Sequence, residues 1–528
     1  MAIKRYSENT KPDTSLNKIE TYDFSEDEVF GYEKDEEMKV AVANEFADAV
    51  VARGTVDNLT STDTDKALSA NQGKVLNEGK ENKSNKVTAF QETPDDTHYP
   101  SEKLVNDSLD TIKGTGWTDE NLADHEVRIH LIEQTLDAYG VIYDRDTDSF
   151  ERTGLTVGMS YTYDTVGSVT TVVSDFDDVP IFQWKRCNLA DNMTVNAYYG
   201  DPTYIEDGSN GQVMVEIPKF YYYAKKDGNT YHYLVADKPL AEFRLHPAFI
   251  RDGVIKEHIY VGAFEATGYD GTSYFGDGAF DNSLDYLASV AGLQPLSGNT
   301  TSFNIVQART MAQNRGFNWN LKDFLGWSAY QLMQTIEFAS FNSQSFLSAG
   351  ITSLASGTGN HSQNTGHTST LGNSSGYVNF PVENGATGQT TRNAPSYRGI
   401  ENPFGNIWEF VDGINITELL VYIADHGFAS DTFTDPYKPI GYVGDTSGYM
   451  SEHMFSSLSD FGFLPISVVG GGSGSYFCDY YYASTATNRI ALVGGAWSYS
   501  VSAGAFSWNL DFSSASSYRT FAARLFAF

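Results

Sequence analysis

Cysteine, positive charge and long apolar runs are what this 528-residue chain has least of. Its two cysteines, Cys187 and Cys478, are too few for a disulfide framework or a cysteine-ligated zinc site. Lys and Arg total 35 against 68 Asp and Glu, a net charge of −33, and no basic cluster interrupts the acidic background. Binding to a nucleic-acid backbone or an anionic membrane surface needs such clusters, so both are excluded as partners. No run approaches the roughly 18 apolar residues that span a bilayer; the longest, such as Leu419–Ala424, are short. Residues 1–8 carry charge but no apolar core of a secretory signal, so synthesis in a cytoplasm is expected.

What is present is enough apolar side chain for globular cores, and a length that suggests two to four domains. Charge is unevenly spread. Residues 1–150 hold 33 acidic and 16 basic side chains, whereas the last 72 residues hold three of each. Residues 469–528 also carry 14 aromatics. The chain therefore has an acidic, polar front and a neutral, aromatic-rich tip.

Residues 1–55 mix acidic clusters with few periodic apolar positions and read as a solvated arm. Within residues 56–117, the stretch Thr62–Leu76 is echoed by Thr93–Val105. Each unit runs from an Asp/Thr turn through a Ser cap into a short helical stretch, and neither can bury a core alone. The segments Asp65–Leu76 and Tyr99–Val105 resemble shaft repeats of bacteriophage tail fibres and prophage tail proteins. Over residues 118–140, Leu122, Ile129 and Leu136 occupy one heptad position and His125 and Ile132 the other. Ile at both positions leans toward a trimeric coiled coil.

From about residue 155 the composition shifts to Gly, Tyr, Phe and Val. Val213–Tyr223 alternates as a strand with Pro218 at an edge or bulge. Helices are expected near Ile305–Asn314 and Leu325–Ser340, and residues 351–394 read as a long Gly/Ser/Thr/Asn loop. The fold class expected for 155–528 is α+β. No catalytic constellation stands out. His361 and His367 lie in the polar loop without a Cys or carboxylate cluster, so no metal site is expected. Gly470–Gly474 is not followed by a helix that could present amides to phosphate.

Gly405-Asn406-Ile407-Trp408-Glu409-Phe410-Val411, with Met214–Pro218 upstream, resembles the formylglycine-generating-enzyme branch of the C-type lectin fold. That resemblance implies a C-type lectin fold for 155–528. It does not carry the enzyme activity, because oxidase members use a nearby cysteine pair and here the two cysteines are 291 residues apart. No Glu-Pro-Asn, Gln-Pro-Asp or Trp-Asn-Asp triplet implies calcium-dependent sugar binding; no cofactor is expected, with a structural calcium left open. The run Leu492-Val493-Gly494-Gly495-Ala496-Trp497, then Ala503–Phe506, Leu510 and Ala523-Arg524-Leu525, resembles the C-terminal variable region of phage proteins diversified by retroelements. Ala522 stands where that frame usually has Gly. The variable region would then cover about residues 494–525. Gly494, Gly495, Trp497, Gly504, Trp508 and Arg524 would be its scaffold, with Gly405, Asn406 and Trp408 beside them.

Alternation in Phe506–Leu510 places Phe506, Trp508 and Leu510 on a core face and Ser507 and Asn509 toward solvent. The candidate contact set is Ala496, Ser498, Tyr499, Val501, Ser502, Ser507, Asn509, Asp511, Phe512, Ser517, Tyr518 and Arg519. Tyr, Ser and Asn are the types that recognition loops favour. Together these expectations describe a homotrimeric phage tail protein without enzyme activity. An N-terminal arm meets other tail or baseplate proteins, a fibrous shaft follows, and a lectin-fold head binds a bacterial surface receptor, protein or glycan. It would be made in the host cytoplasm, released by lysis and carried on the virion tail. A catalyst on the same fold and a bacterial surface adhesin are the alternatives.

Overall fold

The computed structural model describes residues 55–56, 67–68, 137–355, 357–385, 391–469, 474 and 476–528. The chain divides into two units, Met1–Leu122 and Ala123–Phe528. In the first, strands Thr55–Val56 and Ala67–Leu68 pair in parallel. The rest of the arm, the repeats and the heptads lie outside the described residues.

Over its described residues the second unit is built mainly of β-sheets with three α-helices. Its first strand, Tyr139–Asp144, is already part of the body. It pairs with Ser149–Gly154 on one side and Thr230–Ala236 on the other, and buries Val141 and Tyr143. The body therefore starts before residue 155, and a coiled coil reaching residue 140 is corrected: Tyr139-Gly140-Val141-Ile142-Tyr143 is β-branched and aromatic, which suits a strand. Gly140 is required there, since a Cβ would sit 2.6 Å from the Leu234 side chain.

A six-stranded sheet brings distant segments together. Gln212–Pro218 lies between Lys185–Leu189 and His258–Gly262, and the C-terminal strand Leu525–Ala527 pairs with His258–Gly262 and Trp319–Leu321. Pro218 ends its strand, and a second strand starts at Tyr221. The polar stretch expected as loop contains strand Gly376–Pro381 and the start of strand Thr391–Tyr397, which pair with each other, the first also pairing with Val169–Ser174. Their polar composition hid them, although Val378, Phe380, Ala394 and Tyr397 are buried.

Helix α1, Ile305–Gln313, starts at a capping box of Asn304 and Gln307. Helix α2, Phe324–Phe338, is buried on every side. It is tied to the C-terminal segment by polar side chains: Gln331 Nε2 and Trp327 Nε1 both donate to the Ala505 carbonyl, at 2.8 and 3.2 Å. A short helix α3, Ser343–Leu347, follows.

The largest sheet carries the C-terminal segment. Trp408–Thr417, Arg489–Gly494, Gly504–Asn509 and Tyr480–Tyr482 run side by side in that order. Val411, Val493, Phe506 and Trp508 enter one core cluster, while Phe410, Leu492, Ile490 and Trp408 enter another. Both faces of this sheet are thus covered. That fact decides where the candidate site can lie.

Candidate functional site

The scaffold residues form a rigid base. Gly495 has φ +85°, and a Cβ there would lie 2.5 Å from that of Ala503, so the chain doubles back against itself. A Cβ on Gly504 would collide with the Asp479 carboxylate, which accepts the Phe506 N–H at 2.8 Å. Burial holds that carboxyl well above the usual range. Trp497 and Trp508 are fully buried, and the Trp508 indole N–H donates to the Phe463 carbonyl at 2.9 Å.

Arg524 is the ionic centre of this base. Its guanidinium grips Glu409 through two bonds of 2.7 and 2.9 Å and donates to the carbonyls of Gly262, Glu401 and Asn402. Lys322 lies 3.1 Å from the same carboxylate. Gly405 and Asn406 both take left-handed backbone, at φ +78° and +52°. The Asn406 amide donates to Glu265 at 2.8 Å, and its carbonyl receives the Trp497 N–H at 3.0 Å. Burial pushes Glu265 up to about 8 despite the opposing pull of Arg524.

Three candidate contact residues are corrected. Ala496, Ser507 and Asn509 are buried, at 0%, 0% and 4% exposure. Alternation along 506–510 is real, but it separates two cores rather than core from solvent. Asn509 pairs with Leu492, which pairs with Phe410, so the Ser507/Asn509 face meets the second cluster. The Ser507 hydroxyl is satisfied by the Tyr480 carbonyl at 2.9 Å.

The other candidates lie in the turns at the ends of that strand. Val501, Asp511 and Tyr518 are exposed; Ser498, Tyr499, Ser502, Phe512, Ser517 and Arg519 are partly so. Phe512, Tyr518 and Phe521 pack ring to ring at 4.7 to 5.2 Å. The Arg519 guanidinium donates to the carbonyls of Gly357 and Gly359, and Ser517 Oγ accepts the Phe303 N–H at 2.8 Å. Those two side chains brace the turn as well as border it. Trp408 sits between the two turns: its ring is 5.3 Å from Tyr499, and its backbone N–H donates to the Thr520 carbonyl at 2.9 Å.

Sequence reasoning missed three tyrosines beside Tyr499. Tyr482 lies 6.0 Å from it, Tyr480 lies 4.7 Å from Tyr482, and Tyr449 lies 5.2 Å from Tyr480. All four rings are partly exposed. Alternation within Tyr480-Tyr481-Tyr482 was the available signal, since it buries Tyr481 and leaves its neighbours on the opposite face. Their nearness to Tyr499 needed the pairing of Tyr481 with Trp508 and of Tyr480 with Tyr449.

The arrangement offers contact area in partly exposed aromatic and Ser side chains. Among the described residues no group of three or more His, Cys, Asp and Glu could hold a metal ion. Both thiols are buried, which raises Cys187 far above its usual range and pushes Cys478 up to about 12. Neither is the activated thiolate that cysteine catalysis needs. No helix among the described residues is long and apolar enough to cross a membrane.

No curated protein matches the chain. Among solved structures it is similar to the Major Tropism Determinant P3c variant, at 11% identity over 75% of this chain and 96% of that one, with a TM-score of 0.22. It is also similar to the U1 variant, at 12% identity over 75% and 96%, with a TM-score of 0.21. The family model described as phage tail fiber repeats matches residues 55–88. The chain carries the repeat of phage tail fibres, and its wider similarity is to the major tropism determinant.

Proposed function

We propose that this chain is a phage receptor-binding protein that attaches the virion to a bacterial surface through the turns around Tyr499 and Tyr518. The observation that carries the proposal is the tail fibre repeat at residues 55–88, in a chain whose C-terminus presents an aromatic, nearly uncharged surface on a rigid base. Large exposed aromatics mark interaction surfaces, and the acidic remainder would be repelled by an anionic envelope. The head is a C-type lectin fold in this account, supported by the Gly405–Val411 signature and by a C-terminal strand that closes onto the Gln212–Pro218 sheet.

The protein acts as a homotrimer joined to other tail proteins through its N-terminus. Several weak sites then give an avidity gain of about 10²–10⁴ over one site. Retroelement diversification of residues 494–525 would act on the turns and spare Trp497, Trp508 and Arg524. The function is binding and not catalysis. The test is retention of the purified, fluorescently labelled chain on a panel of bacterial strains, with light scattering of the same sample. Saturable retention by some strains, at three times the chain mass in solution, supports the proposal; no retention by any strain, or a monomer, opposes it.

A further inference from the structure

Away from the C-terminal turns, a cleft of about 590 Å³ opens in the second unit, a volume on the scale of small-molecule sites. Two distant segments form it. One is the end of strand Tyr221–Asp227 with Gly228 in the turn beyond; the other is segment 455–460, which follows strand Gly448–His453. Tyr449 stands at the start of that second strand and Phe455 lies past its end, so a strand's length separates the cleft from the aromatic surface beside Tyr499.

Phe455 supplies the apolar part of the wall. Its ring packs against Tyr231 and His453, at 5.7 and 5.9 Å, and the rest of it lines the cleft. Lys225, Lys226, Asp460, Ser456 and Ser457 supply the polar part. Most of these are already held by the protein. Lys226 Nζ donates to Glu452 at 2.7 Å and lies over the Tyr231 ring. Asp460 accepts the Tyr222 hydroxyl at 2.9 Å and pairs with Arg244, and Ser456 Oγ bonds Ser459 Oγ at 3.0 Å. A ligand would meet ordered groups, with little motion left to lose.

We infer that this cleft binds a neutral oligosaccharide without a metal ion. Charge balance decides the class. Each cation at the cleft has a carboxylate of the chain beside it: Lys225 with Asp227, Lys226 with Glu452, and Arg244 with Asp460. None is left over for an anionic polymer, and a chain of net −33 would repel one. What the cleft has to spare is hydrogen-bonding capacity. The half-exposed Lys225 ammonium keeps donors beyond the one it turns to Asp227, and the exposed Ser457 hydroxyl has no partner among the described residues. Sugar hydroxyls, which donate and accept at once, match such mixed groups, and the C–H face of a sugar ring matches the Phe455 ring. This second site stands apart from the C-terminal turns and does not rest on the proposed function.

The test titrates the full chain with maltotriose, cellotriose, mannotriose and chitotriose, and with trigalacturonate as the anionic counterpart, by ligand-observed NMR. At least one neutral probe should bind with a Kd of about 1 mM or tighter, and more tightly than trigalacturonate. Phe455→Ala should weaken that binding by at least about ten-fold. Because Phe455 also packs on Tyr231 and His453, Ser457→Trp supplies a variant at an exposed position: it fills the cleft, should keep the wild-type melting temperature and should abolish binding. Three results each overturn the inference: neutral binding unchanged by Ser457→Trp, trigalacturonate binding at least as tight as that of every neutral probe, or no binding of any probe up to about 10 mM. Tyr499→Ala/Phe512→Ala/Tyr518→Ala should bind the saccharide as wild type does. Loss of cell retention in that variant therefore bears on the proposed function alone, and loss of saccharide binding in Ser457→Trp on this site alone.

Discussion

Two stretches of the C-terminal segment, adjacent in sequence, are built for opposite purposes. The strand Gly504–Asn509 is buried at every position, wedged between two cores and capped by α2 through the Ala505 carbonyl. The turns at its ends, 498–502 and 511–519, hold exposed or partly exposed side chains at every position. Both stretches are rich in Ser and aromatics, so composition does not separate them. What separates them is sheet position: a strand with partners on both edges and cores on both faces has no solvent side. Variation is therefore tolerable in the turns and costly in the strand, although they lie within a few residues of each other.

The largest effects should come from the base. Arg524→Ala removes the main partner of the buried Glu409 and should cost about 3–5 kcal/mol. Trp508→Ala should cost a similar amount, about 3–5 kcal/mol, by leaving a cavity in the first core. Chemical denaturation measures both, and a loss below 1 kcal/mol for either (roughly the surface range) would mean that the segment is not held as described.

A second difference is pH. Glu265 keeps its proton in the folded chain up to about 8, whereas an unfolded glutamate releases it near 4.5. Its stabilising contribution is complete below the unfolded value and is lost as pH rises through the folded one. His246 and His453, lowered to about 3 and about 4 by burial, act oppositely below 6.5. The window above 6.5 is clear of those two histidines; the buried Asp479 carboxyl, also raised, adds a fall of the same sign, so it is the difference between wild type and a Glu265 variant that isolates Glu265. Glu265→Gln should flatten the fall in stability there by up to about 1.4 kcal/mol per pH unit. An unchanged slope would place the proton elsewhere.

The smallest stability effect sharpens the contrast most. Ser507→Ala should cost about 1 kcal/mol, through the lost bond to the Tyr480 carbonyl, without weakening cell retention of the folded protein. Retention lost at full stability would return Ser507 to the contact surface.

Much of this was legible in the sequence, and the exceptions have physical causes. The two long helices were legible in the sequence, and the structure caps them with Asn304 and Asp323. The roles of Trp497 and Arg524 followed from a family resemblance; the Glu409 partner, 115 residues away, did not. Ser507 and Asn509 were misplaced because period-two alternation tells which residues share a face but not what covers it. The tyrosine row escaped because Tyr449, Tyr480 and Tyr499 meet only through sheet pairing.

The most direct test of the account is to set melting temperature against cell retention for two triple sets, Tyr499→Ala/Phe512→Ala/Tyr518→Ala and single changes at Trp497, Trp508 and Arg524. The turn variant should melt within a few degrees of wild type and lose retention by about a hundred-fold, as loss of several interface anchors does. The base variants should lose retention only as they lose structure. A stable turn variant that binds cells as well as wild type would contradict the account.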